Sequence, residues 1–369
     1  MKNEVIICLD IGGTNVRMGL VDQAHRLLDA RFILTEEITA RGFLPGLTEA
    51  LKQYRVEAEK EYTVAAVSLG VPATVDKARR VVVQAPNVPG LDNCPIAEIL
   101  EKALNLPVFL EKDVNLLLTY DLQSLALPEE GLIIGIYFGT GIGNAISWNG
   151  QLLVGKNGVA RELGHIPQLG SGDICGGGNV GCMEPIGGGR RLSQLCKSVF
   201  RNIDVAELYA RYADTPEVLA QVDAMAATVA TEVNILDPDY VIIGGGLPQM
   251  KGFPMETFLH RIRVHTRKPM PLEGLQIRFA RPNQDNGIIG AGIYGWKKLR
   301  QCRRPADGSK ESRKCTSDVI SGFFGVSAAG RLKCAAIGRL APAGPWAGRA
   351  GHSAVPVLPI CRHRWRDRA

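Results

Sequence analysis

No stretch of this 369-residue sequence approaches the ~20 consecutive apolar residues that a membrane-spanning helix requires. The run VIICL near the start is too short for the hydrophobic segment of a secretory signal. These absences argue against a helical anchor and a leader, and a cytoplasmic location is expected. No G-x-x-x-x-G-K-[ST] occurs, which excludes a P-loop. No repeat of fixed period covers the chain, which argues against a repeat array. A disulfide framework is missing too: Cys8, Cys94, Cys175, Cys182 and Cys196 are scattered apart from one close pair, as suits reduced thiols. The formal charge of +6 is not a nucleic-acid footprint, because residues 301–369 carry 13 Lys and Arg against 4 Asp and Glu, leaving residues 1–300 with 30 against 33.

What is present is a long chain with 46% apolar residues, too large for one core, so two lobes are expected. The segment from QCRRPADGSKESRKC to PICRHRWRDRA loses the apolar periodicity of the body and holds four of the nine cysteines. It is expected to be sequence appended by a frameshift or read-through, or else a disordered basic extension.

Val5–Leu9, Val16–Val21 and Leu27–Leu34 are predicted as three strands of a meander, followed by a helix around 44–59. TVAAVSLGVPATVD is a strand ending at Gly70 and Pro72. Asn93 is placed to cap a helix with Pro95 in its first turn, and LPVFLEKDVN is a strand that runs out at Asp113. A second lobe opens with GLIIGIYFGTGIGNAISWNG and closes with YVIIGGG, around a loop-rich stretch at 150–190. VDAMAATVATEVNIL is a helix stopped by Pro238. DNGIIGAGIYGWKKL is the last helix, with Gly287, Gly290 and Gly292 spaced for close packing. The expected division is a small lobe at 1–115, to which a helix at 288–300 returns, and a large lobe at 116–287. Both lobes begin with a strand that turns on glycines, which suggests a duplicated architecture.

Asp10 at a strand end, followed by Gly12, Gly13 and Thr14, suits a phosphate lying against bare amides, since any Cβ would hold it off. Asp10 would then hold Mg²⁺ or position water, because its charge repels phosphate. An ordinary Gly-Gly hairpin link is the alternative. FGTGIG supplies Gly139, Thr140, Gly141 and Gly143 in a similar setting, and IIGGG supplies Gly244, Gly245 and Gly246 between a strand and an expected helix. Three such turns point to one nucleotide gripped between two lobes. GGGNVG at 176–181 matches G-x-G-x-x-G in form but lies between cysteines, and is discounted.

LDIGGTNVRMGLVD, NVPG, EKDVN, GTGIGNAI, GVARELGH, CGGGNVGCME and DPDYVIIGGG follow one another in an order that resembles the ROK family of bacterial sugar kinases, over residues 4 to about 299. The resemblance implies an α/β fold, the two-lobed actin-like, hexokinase-like ATPase (ribonuclease H-like) fold, with nucleotide and sugar in the interlobe cleft. It implies ATP and Mg²⁺ as cofactors, a sugar as the other small-molecule partner, and a homodimer, with no nucleic acid and no membrane. APNVP, DVNLLL and RELGHIP are most similar to allose-phosphorylating members, which makes D-allose, phosphorylated at its 6-hydroxyl, the leading acceptor. Glucose, other hexoses and N-acetylhexosamines are the alternatives.

By the same resemblance Asp113 is the catalytic base, with a plain helix cap as the alternative. The hydroxyl-binding set is Asn87, Asp113, Glu162, His165 and Glu184, with Gly70 and Pro72 shaping the wall. His165, Cys175 and Cys182 match a structural zinc site in which Gly177 replaces a ligand. Either zinc is retained, with Asp173 or water in the gap, or hydrogen bonds and packing order the loop. Lys112 stands where Asn is common and Arg161 where Gly is frequent. Arg161 is expected to face solvent, pairing with Glu162 being the alternative. Hinges at 114–118 and 286–290 would let the lobes close on sugar. Sugar-sensing repressors of the family carry a helix-turn-helix domain first, whereas the first strand here starts at about residue 4, which disfavours DNA binding. A non-catalytic sugar binder is the remaining alternative.

Overall fold

Apolar residues on both faces of a strand require cover on both sides. In β1 (Glu4–Ile11), Val5, Ile7, Leu9 and Ile11 join one buried cluster while Ile6 and Cys8 join another. A computed structural model describes residues 2–40 and 42–303, and the basic segment from residue 304 onward lies outside the described residues.

β1 is central in a five-stranded sheet of order β3-β2-β1-β4-β7, with β2 (Asn15–Asp22), β3 (Leu27–Leu34), β4 (Thr63–Val71) and β7 (Val108–Lys112). β1, β2 and β3 are antiparallel neighbours, whereas β4 and β7 add in parallel. The short α1 (Thr35–Thr39), α2 (Phe43–Ala58), the small hairpin β5 (Thr74–Val75) and β6 (Val82–Gln84), and α3 (Ile96–Leu104) fill the connections. Leu47 and Leu51 of α2 and Leu100 of α3 cover the face that holds Val5, Ile7 and Leu9.

α4 (Asp113–Ser124) leads into a second five-stranded sheet with the same connectivity. Its order is β10-β9-β8-β11-β12, from β8 (Leu132–Phe138), β9 (Ile142–Trp148), β10 (Gln151–Leu152), β11 (Tyr240–Gly244) and β12 (Ile277–Phe279). An antiparallel meander followed by two parallel strands thus occurs twice, as the paired glycine turns suggested. Between β10 and β11 lie α5 (Glu184–Gly187), α6 (Arg190–Ser198), α7 (Leu208–Tyr212) and α8 (Pro216–Leu236), and α9 (Met255–His265) precedes β12. Val222 and Val229 of α8 and Phe258 of α9 pack on Ile134, Ile136 and Phe138.

α10 (Asn286–Arg303) runs on past Leu299 and packs against β1, β4 and α4. Its contacts are close because it lacks side chains where it crosses its neighbours. A Cβ on Gly290 would overlap the Leu116 carbonyl, and one on Gly292 would overlap Val21. Trp296 Nε1 donates to the Val21 carbonyl at 3.2 Å and fixes the helix's rotation.

Three sequence expectations need correction. Asn93 does not cap α3: it sits at φ +51°, and Pro95 occupies the cap position with no side-chain hydrogen bond. α8 begins at Pro216, well before the predicted VDAM start, because proline is favoured in a first helical turn, and it ends as expected, at a left-handed Asp237 before Pro238. The glycines after β11 lead into only a 3₁₀ turn at Leu247–Gln249. Among the described residues no helix is long and apolar enough to cross a membrane.

Gly290→Ala is expected to destabilise the protein by about 1–3 kcal/mol in urea unfolding, because the overlapped atom is backbone and cannot swing away. Gly172→Ala, where a Cβ meets nothing within 4 Å, should stay within ~0.5 kcal/mol of the parent. Equal stability of the two variants would show that α10 tolerates displacement from α4.

Candidate active site

In parallel strands the carboxyl ends emerge together, and loops leaving them share one crevice. The ends of β1, β4 and β7 here deliver Asp10, Gly70 with Pro72, and Asp113 side by side, Asp10 being in register with Gly70. Gly70 keeps the corner tight: a Cβ there would lie 2.7 Å from Leu116 Cδ1 and 3.5 Å from Asp113 Cα. From the far side α10 contributes Gly287, whose missing Cβ leaves space for the Asp10 carboxylate.

Asp113 opens α4 and its Oδ1 accepts from the Val114 amide at 2.8 Å. Burial pushes its carboxyl up to about 7, and Asp10 pushes in the same direction, while the Val114 amide and the Lys112 ammonium pull it back. Burial also raises Asp10, against the opposing charge of Arg17 across the β1–β2 pair. Two neighbouring carboxylates with elevated proton affinity thus line one corner.

The glycine turns divide into different tasks. In the first, the Gly12 amide is committed to the Asn15 carbonyl at 2.8 Å, and the Gly12 carbonyl accepts from Thr35 Oγ1 at 3.0 Å. Gly13 and Thr14 are exposed and have no backbone acceptor for their amides among the described residues. Gly13 backs onto Asn87, whose carbonyl would lie 3.1 Å from a Cβ. In the second turn the Gly139 amide bonds to the Gly141 carbonyl at 3.0 Å, and the Gly139 and Thr140 carbonyls accept from Gly189 and Arg190. The missing Cβ of Gly141 admits Glu184, whose Oε2 accepts from the Ile142 amide at 3.2 Å. Gly143 makes room for Val114 of α4. In the third turn Gly244 lies against Tyr137 and Gly245, at φ +91°, against the Phe138 carbonyl, while Gly246 faces open space. Among the described residues the Gly13 and Thr14 amides thus have no backbone acceptor, whereas the Gly12 and Gly139 amides close their own turns, and Gly143 and Gly244 serve packing.

His165 ends a 3₁₀ turn at Leu163–His165 reached from β10, and Glu162 immediately precedes that turn. Glu162 Oε1 lies 2.7 Å from Lys112 Nζ, and Oε2 lies 3.9 Å from His165 Nε2. Asn87 Oδ1 accepts from Arg190 Nη2 at 3.2 Å. Glu184 joins this group through Gly164, whose Cβ would be 3.3 Å from that of Glu184. Arg161 corrects its expectation: it turns inward at φ +77°, half-buried, and donates through Nη1 to Asn115 Oδ1. Burial presses its guanidinium down to about 10. Lys112 was visible in the sequence as a departure, but its partner was not, since nothing local links residues 112 and 162. Gly287 was marked only for packing, and its effect on Asp10 needed the fold.

His165, Cys175 and Cys182 converge, their ligand atoms within 4.8 Å of one another. Among the described residues the buried Nδ1 of His165 has no hydrogen-bond partner, as a ring nitrogen awaiting a ligand would have none. A Cβ on Gly177 would lie 3.6 Å from Cys175 Sγ and 3.5 Å from His165 Cε1, so the position of the missing ligand borders the same space.

The two sheets and their clustered strand ends define a two-lobed, hexokinase-like α/β fold. The ROK family model matches residues 6–297, and the chain belongs to the ROK family. It is 26% identical over 262 residues to a glucokinase of Thermotoga maritima, covering 66% of this chain and 82% of that one. It is 27% identical over 295 residues to an N-acetylmannosamine kinase of Salmonella arizonae, covering 78% and 97%. Among solved structures, a ROK glucokinase of Streptomyces griseus in complex with glucose and AMPPNP superposes with a TM-score of 0.65 at 26% identity, over 80% of this chain and 99% of that one.

Carbon-13 NMR titration of the Asp113 carboxyl should give a midpoint of about 7. Asp10→Asn removes a like charge, which favours the ionised form, so the midpoint should move down. A midpoint near 4, the ordinary aspartate range, would rule out the buried-pair description.

Proposed function

We propose that the protein is an ATP-dependent sugar kinase that phosphorylates the 6-hydroxyl of a hexose, with Asp113 as general base. The observation that carries this is Asp113 itself, held at a helix start between Asp10 and the Lys112–Glu162 pair, with burial raising its carboxyl to about 7. A base poised near neutral pH can take a hydroxyl proton while remaining substantially ionised.

In the proposed reaction the sugar hydroxyl oxygen attacks the γ-phosphorus of ATP, the O–H proton passes to an Asp113 oxygen, and the bond to ADP breaks. The exposed Gly13 and Thr14 amides, with the Thr140 and Gly246 turns opposite, are proposed to meet the phosphates. Asp10 would face a Mg²⁺ carried by the nucleotide. Asn87, Glu162, His165 and Glu184 are the proposed hydroxyl partners, with Gly70 and Pro72 forming the wall. An unmatched hydroxyl strands a buried partner at about 1–3 kcal/mol, which is how such a set discriminates. D-Allose is the proposed acceptor on the strength of DVNLLL and RELGHIP; glucose and N-acetylmannosamine are the alternatives that the relatives supply.

The donor set at His165, Cys175 and Cys182 fits three positions of a tetrahedral zinc ion. Bound there, zinc would stabilise the loop and fix the imidazole, taking no part in the transfer.

ADP release should be detectable with at least one of D-allose, D-glucose and N-acetylmannosamine. Asp113→Asn should lower kcat by on the order of 10²–10⁴. Because the base must be ionised, kcat/KM should fall about tenfold per pH unit below a midpoint of about 7. Silence of the parent across the three sugars would favour sugar binding without catalysis. Gly177→Cys adds a thiolate beside the cluster and should bind zinc at least about tenfold more tightly in chelator competition. An unchanged affinity would mean that the three side chains do not form a metal site.

A further inference from the structure

A lysine ammonium removed from water needs an anionic partner, and the partner it takes shows what it holds in place. The Lys112 side chain is only 11% exposed, and Nζ reaches Glu162 Oε1 at 2.7 Å across fifty residues of sequence. Lys112 ends β7 and is followed immediately by Asp113, so its backbone is part of the corner that carries the base. Glu162 sits on the segment after β10, in the other half of the molecule, and its second oxygen is turned toward His165 Nε2 at 3.9 Å. Nothing else donates a hydrogen bond to the Glu162 carboxylate among the described residues. Its orientation therefore depends on one ammonium.

We propose that Lys112 is a positioning residue for the sugar: it holds the Glu162 carboxylate in the orientation that accepts a sugar hydroxyl and ties that carboxylate to the base-bearing corner. This inference rests on the sugar-kinase function given above. The ammonium is a donor with no acceptor capacity, so a hydroxyl in its reach must accept from it while donating to Glu162. A hydroxyl can satisfy both demands at once only when it lies beside the pair, within reach of both groups. An asparagine at the same position would offer both a donor and an acceptor and would leave Glu162 without its counter-charge, so the lysine imposes a stricter reading of hydroxyl placement.

Lys112 also bears on the base. The groups facing Asp113 are Asp10 from β1, Lys112 from β7 and the Val114 amide in α4, and α10 presents uncharged Gly287 at this corner. Lys112 is the cation among them, and its removal leaves Asp113 easier to protonate.

Steady-state kinetics of the full-length protein with Lys112→Met and Lys112→Arg test this. Methionine keeps an apolar stem and removes the ammonium; arginine keeps the charge. Lys112→Met should raise KM for the hexose about tenfold to a hundredfold. KM for ATP should stay within about twofold, and the acid limb of kcat/KM should move to higher pH. Lys112→Arg should recover most of the hexose KM and return the acid limb toward its parental position. Calorimetric titration of D-allose, D-glucose and N-acetylmannosamine should report the same loss of sugar affinity without turnover. A hexose KM within about twofold of the parent in Lys112→Met, with the acid limb in place, would overturn the proposal while leaving the kinase function standing. Equal rises in both KM values that arginine does not recover would overturn it in favour of a purely structural role. A parent that neither binds nor phosphorylates any of the three sugars would overturn the kinase function and this proposal with it.

Discussion

The neighbouring carboxylates of Asp10 and Asp113 are the constraint around which the rest of this corner is arranged. Each lies at the end of a strand of the first sheet, and the strand between them carries Gly70 next to its last residue, where a side chain would press on Leu116 and Asp113. Burial in this corner raises the proton affinity of both carboxyls, because neither can be hydrated freely, and the charge of Asp10 raises that of Asp113 further. That arrangement persists only if surrounding elements hold it. Helix α10 does so by presenting Gly287 to the Asp10 carboxylate and locking its own rotation through Gly290, Gly292 and Trp296. Helix α4 does so by offering the Val114 amide to Asp113. The closeness of α10 to the sheet, which looks like core packing, is therefore also an electrostatic condition of the site.

The repeated connectivity puts glycines at matching turns in the two halves, and the neighbours of each turn make them behave differently. Both meanders turn at the carboxyl end of their first strand. In the first turn the glycines leave Gly13 and Thr14 exposed, whereas in the second Gly141 gives its space to Glu184 and Gly143 gives its space to α4. A glycine in such a turn has two physical uses, exposing an amide and admitting a neighbour. Sequence alone cannot separate them, because the neighbour comes from a distant segment. Val114 and Glu184 are far from Gly143 and Gly141 in the chain, and only the assembled sheets bring them into contact.

The same distinction marks what was legible in the sequence. Strands β1 to β4, β7 and β11 could be placed from alternating or continuous apolar runs, since those patterns are set by the period of the strand itself. The glycine turns and Asp113 stood out because they interrupt such runs at strand ends. Asn93 misled because a residue suited to capping sits two positions before Pro95, and the left-handed conformation at Asn93 puts the chain on a different path into α3. Arg161 misled for a longer-range reason. A charged residue at a glycine-favouring position suggests solvent, yet its guanidinium finds Asn115 two residues after Asp113, in a segment whose proximity no local pattern reports.

Cations link the two halves more than the sequence would suggest. Arg79 Nη1 reaches the Gly158 carbonyl at 3.2 Å, Lys112 reaches Glu162, Arg161 reaches Asn115, and Arg190 reaches Asn87. Each contact joins β7, α4 or the loops around β5 and β6 to the stretch from β10 to the start of α6, which carries Glu162, His165 and Glu184. That segment has little regular secondary structure, with His165 on a single 3₁₀ turn. Its position therefore depends on side-chain anchors to a neighbouring scaffold rather than on its own hydrogen-bond ladder. Half-buried ion pairs contribute little net stability, because desolvation offsets most of the attraction, but losing one partner leaves an uncompensated charge. Anchors of that kind are poor at holding a fold together and good at selecting one arrangement. It follows that the spacing between the hydroxyl-facing side chains and Asp113 is set by a few directed contacts, and that changes at Lys112, Arg161 or Arg190 act on that spacing before they act on the cores of either sheet.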